Sequence, residues 1–181
     1  MHNVEALESW AYSPAVLLDR HLTVESSTML ARAVSPSFAE GVNLAVFTFV
    51  DAGSLCSDRD DPAADPPTGW DSSADQVVAM LRESLDRHEP DDSFRRIVGE
   101  LSTRSSAFAQ KWAGETSARN TGTVVIEHAV VGPLMLDYLL MPAAEDHVLM
   151  VLRPRTAQSR AALRQLADAV RSSESDRGTT N

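Results

Sequence analysis

Three helical stripes followed by three β-rich runs, with almost no chain between the runs, constrain this sequence more than any other feature. Ser73-Ala74-Asp75-Gln76 has the spacing of a capping box, and Val77, Val78, Leu81 and Leu85 then recur on one helical face. Glu83 and Arg87 stand four apart in the favourable order on the wet side of this helix. Pro90 ends it, Asp91 or Asp92 caps a second helix, and Phe94, Ile97, Val98 and Leu101 form the second stripe. Ser105 or Ser106 caps a third helix, which carries Phe108 and Trp112 four apart. Such stripes must be buried against another layer. Residues 123–131, 134–141 and 147–153 supply it, with only Gly132-Pro133 and Pro142-Ala143-Ala144-Glu145-Asp146 between them. Connections that short make antiparallel neighbours. Alternation places Val124, Ile126, His128 and Val130 on one face of the first run, and Leu134, Leu136, Tyr138 and Leu140 on one face of the second.

Earlier in the chain, Ala15-Val16-Leu17-Leu18 and Leu22-Thr23-Val24 flank Asp19-Arg20-His21 and read as two short strands around a tight turn. Ser26-Ser27-Thr28 offers hydroxyl caps for a short helix through Met29, Leu30 and Ala33. Residues 43–50 hold Leu44, Val46, Phe47 and Phe49, a run that periodicity alone leaves open between strand and buried helix. Residues 51–72 are acidic and contain Pro62, Pro66 and Pro67, which reads as a long loop with Trp70 anchoring its end. Residues 157–170 form a closing helix with Leu163, Leu166, Ala167 and Val170 on one side, and 172–181 read as a disordered tail. The expected organisation is one domain over residues 1–171, of mixed α/β (α+β) class, with an antiparallel sheet of about five strands and several helices packed on it.

A net charge of -10 argues against direct nucleic-acid binding, which depends on Lys and Arg displacing counterions. Cys56 is the single cysteine, so no internal disulfide can form, and a reducing, cytoplasmic setting fits. No stretch approaches the ~20 apolar residues of a membrane span. The abundance of Ala, Arg, Asp, Val and Pro fits a GC-rich bacterial genome. There is no Gly-x-Ser-x-Gly elbow, phosphate loop, His-Glu-x-x-His or zinc-spaced Cys/His cluster, so neither an enzyme, a metal nor a cofactor is expected. Glu127 and Asp137 flank His128 in the strand pattern, but period-2 alternation turns both away from the apolar face.

Taken in order, Phe94-Arg95-Arg96-Ile97-Val98-Gly99-Glu100-Leu101, Ser105-Ser106-Ala107-Phe108-Ala109-Gln110-Lys111-Trp112 and His128-Ala129-Val130-Val131-Gly132-Pro133-Leu134-Met135-Leu136-Asp137-Tyr138 resemble the ligand-binding domain of MmyB-like transcription regulators. The resemblance covers roughly residues 14–170 and implies a PAS-like sensor of the kind carried behind an XRE-type helix-turn-helix, here beginning close to Met1 without one. It reads residues 43–50 as a helix. Asn43 matches the asparagine of an arginine-asparagine pair, with Val42 in the arginine's place. Trp70, Leu81-Arg82, Phe108, Trp112, His128, Gly132, Leu136, Asp137 and Tyr138 match further motif positions, while Ala129 replaces a proline and Ser26, Ser27 and Thr28 stand where a tryptophan-asparagine pair is usual.

What the resemblance implies is an apolar, fatty-acid-like ligand between sheet and helices. Asn43, Phe108, Trp112, His128 and Tyr138 are the candidate ligand-binding residues. Each also has a plain structural reading: a helix cap for Asn43, core packing for Phe108, Trp112 and Tyr138, and a hydrogen-bonded edge-of-sheet histidine for His128. The implied partner is a second copy or a full-length helix-turn-helix regulator. A free-standing lipid or small-molecule binding protein and a truncated regulator without ligand are the competing readings.

Overall fold

The computed structural model of the protein describes residues 13–51, 69–114 and 118–178. Five strands form one sheet: β1 (Ala15–Leu18), β2 (Val24–Ser27), β3 (Thr121–His128), β4 (Gly132–Pro142) and β5 (Val148–Pro154), in the order β2-β1-β5-β4-β3. Every neighbouring pair is antiparallel; short connections require this of β1–β2, β3–β4 and β4–β5, while β1 and β5 are distant in sequence. The helices are α1 (Met29–Val34), α2 (Leu44–Val46, running on into a π-helical turn at Phe47–Asp51), α3 (Trp70–Arg87), α4 (Asp92–Arg104), α5 (Ser106–Ala113) and α6 (Ala157–Gly178).

The apolar runs Ala15-Val16-Leu17-Leu18 and Val148-Leu149-Met150-Val151-Leu152 do not alternate because β1 and β5 lie inside the sheet and are buried on both faces. On the inner face Val16, Leu18, Met150 and Leu152 join Leu134, Leu136 and Leu140 of β4 in the main core. Ala15, Leu17 and Val151 make a smaller cluster on the other face, flanked by Met141 and Leu149. The helical stripes close over the inner face: Val77, Val78 and Leu81 from α3, Phe94, Ile97 and Leu101 from α4, Phe108 from α5, and Leu163 and Leu166 from α6.

Local chemistry starts and stops these elements. Thr28 caps α1 by accepting from Ala31 N at 3.2 Å, and the same hydroxyl accepts from Ala15 N at 3.1 Å, tying the cap to β1. Ser105 closes α4 with its N–H on Leu101 O and opens α5 by accepting from Phe108 N at 3.2 Å. Asn43 caps α2, its Oδ1 accepting from Ala45 N and Val46 N at 3.0 and 3.1 Å.

Several boundaries differ from the sequence reading. The Ser73 capping box is not used: α3 begins at Trp70 behind Gly69, which sits at φ 87 and provides no side-chain cap. Ser73 lies inside the helix and donates to Gly69 O. The loop expected over 51–72 is therefore shorter at both ends, Asp51 closing the π-helical turn and residues 70–72 being helical, while 52–68 lie outside the described residues. Leu22 lies in a bend, Thr23 makes an isolated antiparallel bridge to Asn43, and β2 starts at Val24. Val130 lies past the end of β3 and is 76% exposed, so it is not part of the apolar face. The closing helix runs on to Gly178, through most of the tail expected to be disordered; only 179–181 of that tail fall outside the described residues.

Asn43 uses all of its hydrogen-bonding capacity on the backbone and on Thr23, because its Nδ2 donates to His21 O at 2.7 Å and to Thr23 Oγ1 at 3.2 Å. Asn43→Ala is expected to cost about 1–2 kcal/mol of stability. Urea unfolding followed by far-UV circular dichroism measures it.

Candidate functional site

The five sequence-selected residues divide into four places. Phe108 and Trp112 stand in a chain of aromatic rings on the helical side. Phe108 is fully buried, stacked on Trp112 at 5.5 Å between centroids and met edge-on by Phe49 at 5.1 Å. Trp70 meets the other side of Phe49 edge-on at 5.8 Å, and Phe94 lies 6.3 Å from Trp112. Trp70 is thus part of this chain and donates its Nε1–H to Thr48 O, instead of merely ending a loop. Cations cover the outer rings: the Arg82 guanidinium lies 5.2 Å from the Trp112 ring and donates to Trp112 O, and the Lys111 ammonium lies 5.8 Å from the Trp70 ring. Burial alone would lower the Lys111 pKa, but hydrogen bonds to Asp75 at 2.7 Å and Asp71 at 3.1 Å hold it above the ordinary value.

Tyr138 lies on the inner face of β4 between Leu136 and Leu140, half-buried against the core. Its ring passes over Gly122 of β3, where an added Cβ would stand 2.4 Å from the phenolic oxygen. Burial raises the Tyr138 pKa, with the charge of Arg119 acting the other way.

His128 is elsewhere. Gly122 pairs with Tyr138 and His128 with Gly132, so Tyr138 and His128 lie at opposite ends of the β3–β4 ladder, ~20 Å apart at the rise of an extended strand. Nε2 of His128 lies 2.9 Å from Ala33 O, and Nδ1 accepts from Val130 N and Val131 N at 3.2 and 3.3 Å. A carbonyl on one nitrogen and two N–H donors on the other fit the tautomer that carries its proton on Nε2. Both nitrogens are spent on backbone, pinning the β3–β4 hairpin to α1. On the opposite face, Asp137 accepts from Thr123 Oγ1 at 2.8 Å and Arg155 at 2.9 Å, and these bonds hold its pKa below the usual carboxylate value. Asn43, on the far side of the β1–β2 turn, caps α2 as described. The structure therefore brings Phe108 and Trp112 together and leaves Asn43, His128 and Tyr138 apart.

What the sequence reading missed is a cleft of about 110 Å³ under the C-terminal half of α3. Leu22, Met80 and Leu140 form its floor and belong to the main core, with Val148 packed beside them. Asp19, Arg20, Glu83, Arg87, His88 and Asp146 make its rim, joined by Ser84 and Asn120. No periodicity marks this site, because its walls come from the β1–β2 turn, α3 and the ends of β4 and β5. Leu22 is buried at φ 65, a left-handed backbone that costs a leucine of order 1–3 kcal/mol and persists only where surroundings fix it. Here Asp19 fixes it: its Oδ1 accepts from His21 N at 2.8 Å and Thr23 N at 2.7 Å. Next to it His21 Nε2 lies 3.0 Å from both oxygens of Asp91, and the Arg20 guanidinium pairs with the same carboxylate. Ser84 of α3 donates to Arg20 O at 2.6 Å. The turn is thus bolted to α3 and α4 at once.

With this fold and these sites in view, the chain is an α/β domain with a small cleft at the margin of a sheet-and-helix core. Residues 3–166 match the family described as MmyB-like transcription regulator ligand binding domain, and the chain belongs to that family. None of the curated proteins compared with the chain matches it. Membership makes this a ligand-binding domain of transcription-regulator type. Among the described residues no helix is long and apolar enough to cross a membrane, and no group of three His, Cys, Asp or Glu side chains is placed to hold a metal ion.

Two predictions follow from this geometry. Phe108→Ala empties the centre of the ring cluster and is expected to cost roughly 3–5 kcal/mol, with Trp112→Ala, at the half-buried margin, costing less; paired urea titrations give both values. Asp91 is held at about 2 instead of 3.8, chiefly by the N–H of Phe94, against the opposing effect of burial and with help from the His21 hydrogen bond and the His21 and Arg20 charges. A depressed carboxylate pKa stabilises the fold above the unfolded value, and that stability is lost as pH falls from about 4 towards 2. The stability gap between wild type and Asp91→Asn should therefore narrow across that window in urea titrations at successive pH values.

Proposed function

We propose that this domain senses an apolar, fatty-acid-like molecule lodged between the sheet and the helices, and that it signals to a protein partner without catalysis. The observation that carries the reading is the cleft whose floor is the core itself, Leu22, Met80 and Leu140, in a member of a ligand-binding family. Its volume of about 110 Å³ is well under the ~300–1,000 Å³ of a site that engulfs a drug-sized molecule. A long apolar chain therefore binds by parting α3 from β4, and the parted arrangement is the signalling state. A ligand shifts such an equilibrium by its difference in affinity for the two arrangements, and nothing else.

The five-stranded antiparallel sheet with helices on its inner face supports a PAS-like reading of this fold. One core drawing on every element from β1 to α6 supports reading it as one domain. The partner on this reading is a second copy of the chain or a helix-turn-helix regulator of the XRE type, in a cytoplasmic setting. Phe108, Trp112 and Tyr138 contribute to the wall reached by the apolar chain, whereas Asn43 and His128 act through the elements they hold. The occupation of both His128 nitrogens by backbone groups supports the absence of catalysis.

Native mass spectrometry of the purified protein, followed by denaturing extraction, tests the proposal. The expected result is a discrete added mass released as an apolar molecule, and its loss in Met80→Trp, which fills the cleft floor. A clean apo mass together with no thermal shift across a lipid panel overturns it.

A further inference from the structure

We infer that α6 carries a docking ridge for an acidic segment of a partner protein, built from Arg160, Arg164 and Arg171. The inference rests on the reading that this domain acts through a protein partner, and concerns where that partner binds. Buried Ser159, Ala162, Leu163 and Leu166 fix the inward side of α6. Spacings of four and seven residues bring Arg160, Arg164 and Arg171 to within about 40° of one another around the helix, along ~16 Å of its length, and all three are exposed.

The chain holds 26 Asp and Glu against 16 Lys and Arg, yet no Asp or Glu occurs from residue 147 to residue 167, a stretch that contains Arg153, Arg155, Arg160 and Arg164. On α3 and α4 a carboxylate three or four residues away pairs with the arginine: Glu83 with Arg87, Asp92 with Arg95, Glu100 with Arg104. On α6 the acid within reach of Arg164 is Asp168, and it pairs with Arg171 instead. Among the described residues no carboxylate pairs with Arg160 or Arg164. Like charges four apart destabilise a helix, and exposed side chains contribute nothing to the core in return. The ridge is therefore a cost to the fold that a partner recovers.

Carboxylates suit this ridge better than a DNA backbone does. A guanidinium forks onto either anion. A duplex, however, carries a charge every ~1.7 Å and gains its affinity from many phosphate contacts, and a chain at -10 repels so dense a polyanion as a whole. A short acidic segment meets the ridge alone, because exposed charges more than ~8–10 Å away are screened.

The test titrates the whole chain against fluorescein-labelled deca-glutamate and against a DNA duplex of matched charge, by fluorescence anisotropy at low and at high salt. Deca-glutamate is expected to bind at low salt and to be released at high salt, and Arg160→Gln/Arg164→Gln to weaken it at least ~10-fold while melting no lower than the wild type. Arg96→Gln, which removes an exposed arginine of α4, is expected to leave the affinity unchanged. An equal loss in both variants, duplex binding as tight as the peptide's, or a lower melting temperature in the double variant overturns the inference. Failure of deca-glutamate to bind overturns it too, and sedimentation velocity then separates the two readings. Self-association of the chain leaves the partner reading standing with its docking surface elsewhere; a monomer at every concentration removes the second copy as the partner.

Discussion

Burial of the inner face of β4 is the constraint around which the other elements are arranged. Leu134, Leu136 and Leu140 are each under a tenth exposed, and the stripes of α3, α4, α5 and α6 all end in the core they anchor. Apolar burial returns ~25 cal/mol per Å², so a core shared by four helices outweighs any single polar contact at its margins. The same burial explains why β1 and β5 carry unbroken apolar runs: they bring the sheet to full width and are covered on both sides.

Polar side chains at the edges of this core serve backbone groups that burial would otherwise leave unpaired. Asn43 serves the first turn of α2 and the β1–β2 turn together, Ser105 serves two helices, and His128 serves a hairpin turn and the end of α1. These residue types would look equally at home in a binding site when seen in sequence. Hydrogen-bond capacity separates the two roles: a side chain whose donors and acceptors are all engaged has little left for a ligand.

The sheet and the helical stripes were legible in the sequence, and the caps at Asp91 and Ser105 to within one residue, because each rests on local periodicity or on one residue beside one helix end. The start of α3 was not, because its cause is distant: Trp70 is drawn into the helix by the Phe49 ring and by Thr48 O, while Ser73 only looked like a cap. The cleft was illegible for a similar reason. Its rim joins the turn at Asp19 and Arg20 to α3 and to the β4–β5 connection at Asp146. Of the candidate ligand residues, the aromatic pair was legible as a pair, whereas alternation could place Tyr138 and His128 on inner-facing positions but not reveal that they stand at opposite ends of one ladder.

Ser105 closes one helix and opens the next, so α4 and α5 are joined without slack. At one end of this bent rod Asp91 grips the β1–β2 turn through His21 and Arg20; at the other Trp112 lies against Arg82 of α3. One pair of helices thus touches both the ring cluster and the turn that lines the cleft, although those residues are distant in sequence.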